Sequence, residues 1–257
     1  MSTARTVPLD PATAMRLDLE DIRIGYGDST VIDGLDLVVG AGEIVVLTGP
    51  SGCGKSTVLR AIAGLLPVRG GRVLADGDPV VTTSRDRAMV FQEDALHPWR
   101  TVRQNILLAL ALRGVPRQQR REHAEQWIAE IGLDGFGDYL PKSLSGGMRQ
   151  RVQLARGLAG SPRAVLMDEP FGALDAQTRT SMQELLLHTL AGHPSTVVFV
   201  THDVDEALLL GDRVVVLGRA GEPVRAVVDI PHPRDPRRRG DDATLRLRRT
   251  ILDALEK

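Results

Sequence analysis

Glu43–Leu66 reads EIVVLTGPSGCGKSTVLRAIAGLL, and a change of period inside it decides the fold. Glu43–Thr48 is a short, almost unbroken apolar run rich in β-branched residues, the pattern of a strand buried on both faces. Ser56–Leu66 then places its apolar residues at helical spacing. Between them, Gly49–Thr57 satisfies G-x-x-x-x-G-K-[ST] in the strand-to-helix context that this pattern requires. Glycines let the backbone curl until successive N–H groups converge on phosphate oxygens, and the helix start adds its positive dipole end. Gly49, Pro50, Ser51, Gly52, Cys53, Gly54 and Thr57 are expected to form the cradle for ATP. Lys55 is placed to reach the β- and γ-phosphates, and the Ser56 hydroxyl to ligate Mg²⁺. Cys53 has no partner base in view and is expected to be a reactive thiol without a catalytic role.

A second apolar strand, Ala164–Met167, ends in Asp168-Glu169. Strand ends of a parallel sheet gather on the edge that carries the phosphate loop. Asp168 is therefore expected to hold the magnesium, through water, and Glu169 to act as general base toward the attacking water. These residues alone admit any nucleotide phosphohydrolase, or a small-molecule kinase.

The surrounding chain alternates strands and helices. Arg16–Gly25 and Val31–Val39 alternate apolar and polar residues, as half-buried antiparallel strands do. Residues 101–159 are helical in pattern and read as an insert on an α/β core. Strand-like runs return at Ala164–Met167, Thr196–Val200 and Arg213–Leu217, separated by helical stretches at Ala176–Leu190 and Val204–Leu210. Strand alternating with helix implies a mainly parallel sheet covered on both faces. Residues 1–15 read as a disordered tail without a secretory signal, and residues 231–257 as an extension carrying an amphipathic helix. Its arginines, at Pro231–Arg239, fit a solvated segment better than a contact with lipid phosphate or a partner.

Composition narrows the function classes. With 42% hydrophobic and 25% charged residues the chain is neither disordered nor fibrous, and a net charge of -1 argues against a nucleic-acid-binding surface. No apolar run approaches the roughly 20 residues that cross a bilayer. The single cysteine excludes an internal disulfide and fits a reducing compartment.

Leu144-Ser145-Gly146-Gly147 opens a further helical stretch, and with it the chain resembles the ABC ATPase family, whose signature is this segment. The resemblance covers about residues 17–228. It implies an α/β fold: a P-loop NTPase core with a mainly parallel sheet over about 16–230, an N-terminal antiparallel β subdomain, and a helical signature subdomain over about 96–160. It also implies roles. Tyr26 matches the aromatic that stacks on adenine, and Gln92 the Q-loop glutamine that approaches Mg²⁺ and the water. Asp175 matches the D-loop, and His202 the switch histidine. Ser145, Gly146 and Gly147 of one subunit are implied to cap the γ-phosphate held by a second ATPase subunit, most simply in a homodimer. Two departures stand out: Met148 where the signature has Gln, and Gly172 where the D-loop often has Ser.

Glu93–Ile106, EDALHPWRTVRQNI, is similar to a stretch in the ATPases of nitrate, sulfonate and taurine importers, with His97 replacing a Leu. In that family the segment lines the groove that receives the permease. An exposed Trp99 suits an anchor, and a buried packing Trp is the equal alternative. The implied partners are membrane permease subunits and, through them, an extracytoplasmic substrate-binding protein, with the chain on the cytoplasmic face of the membrane. The other class is a soluble ABC ATPase not coupled to transport. Such proteins carry a long coiled-coil insert or a second cassette, and neither is found in this sequence.

Overall fold

The structure is a computed structural model and describes residues 14–92, 95–231, 233–234 and 240–256. Two sheets organise it. A four-stranded antiparallel sheet holds β1 (Leu17–Tyr26), β2 (Ser29–Val39), β4 (Gly70–Ala75) and β5 (Asp78–Pro79) in the order β2-β1-β4-β5. A six-stranded sheet runs β10-β9-β3-β8-β7-β6, from β3 (Ile44–Thr48), β6 (Arg87–Val90), β7 (Ala164–Asp168), β8 (Thr196–Val200), β9 (Arg213–Leu217) and β10 (Val224–Asp229). All neighbours in the second sheet are parallel except β9 and β10.

β3 and β8 are buried at every residue, as their unbroken apolar runs require when both faces are covered. On one face lie α1 (Lys55–Ala63) and the antiparallel sheet, whose inward residues Leu17, Leu19, Ile22 and Ile24 alternate along β1. The opposite face packs against α4 (Gly146–Leu158), α5 (Ala176–Gly192) and α6 (Val204–Leu210), with α2 (Val102–Leu112) and α3 (Arg117–Glu130) beyond them. The middle of the chain is helical, as its pattern implied.

Sequence reading placed no strand between residues 66 and 101, and three occur there. β4 opens on two glycines and β6 has only four residues, so neither offers enough alternation to be seen. β6 is nevertheless the edge strand of the six-stranded sheet, beside β7.

Of the expected tail, residues 1–13 lie outside the described residues. Ala14 and Met15 are buried, and the Met15 carbonyl accepts from Thr196 Oγ1 at 2.5 Å. At the other end, residues 232 and 235–239, and with them most of the arginine run, lie outside the described residues. The amphipathic helix is α7 (Asp242–Glu256), which buries Ile251 and Ala254 in the main core. Arg225 donates to the Ala254 and Leu255 carbonyls near its C-terminus. No helix among the described residues is long and apolar enough to cross a membrane.

Candidate functional site

Register in the parallel sheet assembles the site. Leu47 lies beside Val200, Asp168 beside Val200, and Val90 beside Met167. The chain therefore leaves β3 at Gly49, β6 toward Gln92, β7 at Glu169 and β8 at Thr201 along one edge. Residues distant in sequence meet there because parallel strands point the same way.

The loop after β3 is shaped by glycine. Gly49, Gly52 and Gly54 have φ of 154°, 77° and 103°. A Cβ at Gly49 would sit 2.8 Å from the Leu217 carbonyl, and one at Gly54 2.7 Å from Val31 Cγ1. These close approaches press the loop against β9 and the start of β2, which brings the end of the antiparallel sheet, with Tyr26 exposed on it, beside the loop. Gly54 provides no side-chain cap for α1, so the first-turn N–H groups have no protein partner of the usual kind. Lys55 is 7% exposed, and its ammonium donates to the Gly49 and Pro50 carbonyls at 2.9 and 3.0 Å. A buried cation served by two carbonyls and a thiol sulfur, with no carboxylate among its hydrogen-bond partners, at an uncapped helix start is an anion site in waiting.

Ser56 Oγ donates to Asp168 Oδ1 at 2.8 Å. Burial pushes the Asp168 carboxyl above its ordinary range, and the neighbouring Glu169 adds to this, while the Ser56 hydroxyl, Arg60 and Lys55 oppose it. A hydroxyl and a carboxylate that is short of positive charge form an oxygen pair suited to a hard divalent cation.

Glu169 has φ 44°, a left-handed conformation that costs a non-glycine residue on the order of 1 kcal/mol. Its N–H donates to the Val200 carbonyl at 3.0 Å, and its own carbonyl accepts from Gly172 N at 3.2 Å. The strain turns the side chain to His202, whose Nδ1 stands 3.0 Å from Glu169 Oε2. Gly172 leaves room: a Cβ there would lie 3.6 Å from Glu169 Oε2, ordinary contact. The departure from Ser at 172 is therefore not forced by space. Gln92 is exposed two residues beyond β6.

The remaining candidates face elsewhere. Ser145 caps α4, its Oγ accepting from Met148 N at 3.3 Å, and Asp175 caps α5, its carboxylate accepting from Thr178 N and Oγ1 at 3.0 and 2.7 Å. Those two bonds hold the Asp175 carboxyl below the usual carboxylate range. Ser145, Gly146 and Asp175 are exposed. Among the described residues, no hydrogen bond joins Ser145–Gly147 to the phosphate loop, Glu169 or His202. Met148 is half-buried against the core and lines an open cleft of about 470 Å³ with Leu133, Phe136 and Met182, a cleft that Ser145 and Gly147 also line.

Cys53 corrects an expectation. It is 1% exposed with Sγ 3.9 Å from Lys55 Nζ, so it is packed within the loop rather than available as a reactive thiol.

Trp99 is 72% exposed, which rules out a buried packing role; Trp127, at 6%, is a buried tryptophan. The Trp99 loop is rigidly built. Asn105, fully buried on α2, accepts from His97 N at 2.9 Å and donates to the carbonyls of His97, Arg100 and Thr101. Sequence reasoning missed Asn105. Its signal was a poor helix former one turn inside a helix, which asks for a reason beyond propensity.

Residues 32–172 match the ABC transporter family. The chain belongs to this family. It is 43% identical to an aliphatic sulfonates import ATP-binding protein of Burkholderia cenocepacia, over 94% of this chain and 87% of that protein. It is 46% identical over 84% of its length to the bicarbonate transport ATP-binding protein of Synechococcus elongatus, covering 33% of that longer protein. An ATP-binding cassette solved as a dimer in a post-hydrolysis state with ADP and Pi superposes with a TM-score of 0.72 at 30% identity, over 84% of this chain and 99% of that one. This ABC protein is accordingly an ATPase with the fold its motifs implied.

Sequence reading also passed over Glu206. This buried carboxylate of the ABC ATPase accepts from Gln183 Nε2 at 2.9 Å, and burial raises it above its ordinary range despite bonds from Thr201 and Gln183. A raised folded-state acid binds more protons than the unfolded chain, so it costs stability increasingly as pH rises through the interval between the two values. Glu206→Gln keeps an acceptor for Gln183 and removes that cost. Thermal unfolding should show the variant above the native protein at pH 8, with the gap closing toward pH 4; a constant gap would refute the assignment.

Proposed function

We propose that this ABC ATPase energises a membrane importer of a small anionic or zwitterionic solute, such as a sulfonate, taurine, nitrate or bicarbonate. The observation that carries ATP chemistry is Lys55, buried and bonded to two carbonyls and the Cys53 sulfur, with no carboxylate partner, beside an uncapped helix start. Residues Gly49–Thr57 cradle the phosphates, and Tyr26 supports the adenine. Ser56, Gln92 and, through water, Asp168 would hold Mg²⁺, which when bound would supply charge neutralisation for the phosphates. Glu169 takes the proton of the attacking water, and His202, with Nδ1 3.0 Å from Glu169 Oε2, keeps that carboxylate aimed.

Ser145, Gly146 and Gly147 are exposed or half-buried at the start of α4 and offer unshared N–H groups. In this reading they cap the γ-phosphate on a second copy of the chain, with Asp175 at the same interface. The dimeric state of the similar solved cassette supports a dimer. Moving a pair from mostly open to mostly closed takes about 5.5 kcal/mol of differential binding, which two ATP molecules held between subunits can supply. Hydrolysis removes the bridge and the pair reopens.

Coupling rests on Trp99, exposed on a loop that Asn105 holds in one shape. An aromatic fixed before binding loses little entropy on docking. The partner is a permease, which places the chain at the cytoplasmic face of the membrane, and a substrate-binding protein acts on the far side. The names of the sulfonate and bicarbonate relatives support import. Co-expression with a candidate permease provides the test: Trp99→Ala should keep ATP binding and lose most of the permease that co-purifies with the native chain. Unchanged recovery would remove the docking role.

A further inference from the structure

Two polar pairs join α5 to the start of α6, and neither belongs to the motifs of the nucleotide site. Arg179 Nη1 pairs with Asp203 Oδ2 at 3.1 Å, and Gln183 Nε2 donates to Glu206 Oε1 at 2.9 Å. Arg179 and Gln183 are four residues apart on α5 and so share a face. Asp203 and Glu206 are the cap and third residue of α6, where the Asp203 Oδ1 atom also accepts from the N–H groups of Asp205 and Glu206. The pairs form a two-rung ladder between the helices.

The ends of the upper rung reach the site from two directions. Arg179 Nη2 donates to the Leu174 carbonyl at 3.0 Å, immediately before Asp175. Asp203 follows His202, whose ring contacts Glu169, and its own N–H donates to Thr201 Oγ1 at 3.0 Å. One guanidinium therefore ties the Asp175 loop, on the exposed face, to the segment that aims the carboxylate of Glu169. Arg179 and Asp203 are about one-third exposed, so the pair is shielded on one side and held by four further hydrogen bonds.

We infer that Arg179 and Asp203 are positioning residues for hydrolysis: they hold His202 in register with the Asp175 loop, so that contact made on that loop by a second subunit sets the aim of Glu169. This rests on the reading of Glu169 and His202 given above. A planar guanidinium suits the task because it can serve Asp203 and the Leu174 carbonyl with separate nitrogens, whereas an ammonium serves one direction at a time.

The experiment measures kcat, KM and ATP affinity of the purified full chain with Mg²⁺ for Arg179→Ala, Arg179→Lys, Asp203→Asn, the double variant Arg179→Ala/Asp203→Asn, and His202→Ala. Asn at 203 keeps the oxygen that caps α6 and removes only the charge, so it separates positioning from folding. Arg179→Ala and Asp203→Asn should each lower kcat about ten- to a hundredfold, the scale of a reacting group displaced by about 1 Å, with ATP affinity and KM within about twofold of native. The double variant should be no worse than either single one, because both remove the same link. Arg179→Lys should fall between native and Arg179→Ala. Loss of turnover in His202→Ala with native turnover in Arg179→Ala and Asp203→Asn would overturn the link alone. Native turnover in His202→Ala would overturn the site reading and the link with it. A parallel fall in ATP affinity and kcat would mark a general structural role and would also overturn the inference.

Discussion

Glu169→Gln should bind ATP like the native chain and hydrolyse it about 10²–10⁴-fold more slowly, the usual contribution of a positioned general base. The substitution keeps the size of the side chain and an oxygen that can face His202 Nδ1, now 3.0 Å from Glu169 Oε2. It removes only the basicity. The backbone hydrogen bonds from Glu169 N to Val200 and from Gly172 N to Glu169 remain, so the strained turn that aims position 169 persists. Single-turnover hydrolysis alongside equilibrium nucleotide binding checks this, and near-native turnover would sink the assignment of the base.

Lys55→Met is the second large effect, and it acts on binding. The ammonium of Lys55 is buried and bonded to two carbonyls of its own loop. Exchanging those partners for phosphate oxygens gains a charge-assisted contact of about 1.5–3 kcal/mol, so its loss should weaken ATP affinity about ten- to a hundredfold. Met keeps an unbranched side chain one atom shorter and removes the desolvation cost of a buried charge. Folding should therefore survive, and the thermal midpoint without nucleotide should not fall. Native affinity in a folded Lys55→Met protein would contradict the phosphate site; an unfolded variant would show that Lys55 is needed to shape the loop.

Much of this site was legible in the sequence because its parts are local. The strand-loop-helix at Glu43–Leu66 carries its own periods, and Asp168-Glu169 ends an apolar run. What stayed hidden depends on conformation or on pairing between distant segments. The φ of 44° at Glu169 has no signature in an acidic residue. Asn105 and Arg179 act on backbone carbonyls and on residues up to 24 positions away, and β6 is recognisable only once it lies beside β7. Trp99 shows the limit most simply, since the same His-Pro-Trp-Arg could equally have been packed inward. Its exposure follows from the Asn105 bonds that hold the loop outward, which no periodicity reports.

The signature at Ser145–Gly147, at the start of α4 and, among the described residues, without a hydrogen bond to its own phosphate site, makes sharing of each site between two chains the central claim. Complementation tests it directly. Lys55→Met and Ser145→Arg, each assayed alone, should be nearly inactive, because each variant damages both sites of its own homodimer. In an equimolar mixture, a mixed dimer joins the intact phosphate loop of the Ser145→Arg chain to the intact signature of the Lys55→Met chain, and one whole site re-forms. Recovery of ATP hydrolysis on mixing is the predicted result. A mixture that forms mixed dimers and stays as inactive as its components would contradict a shared site.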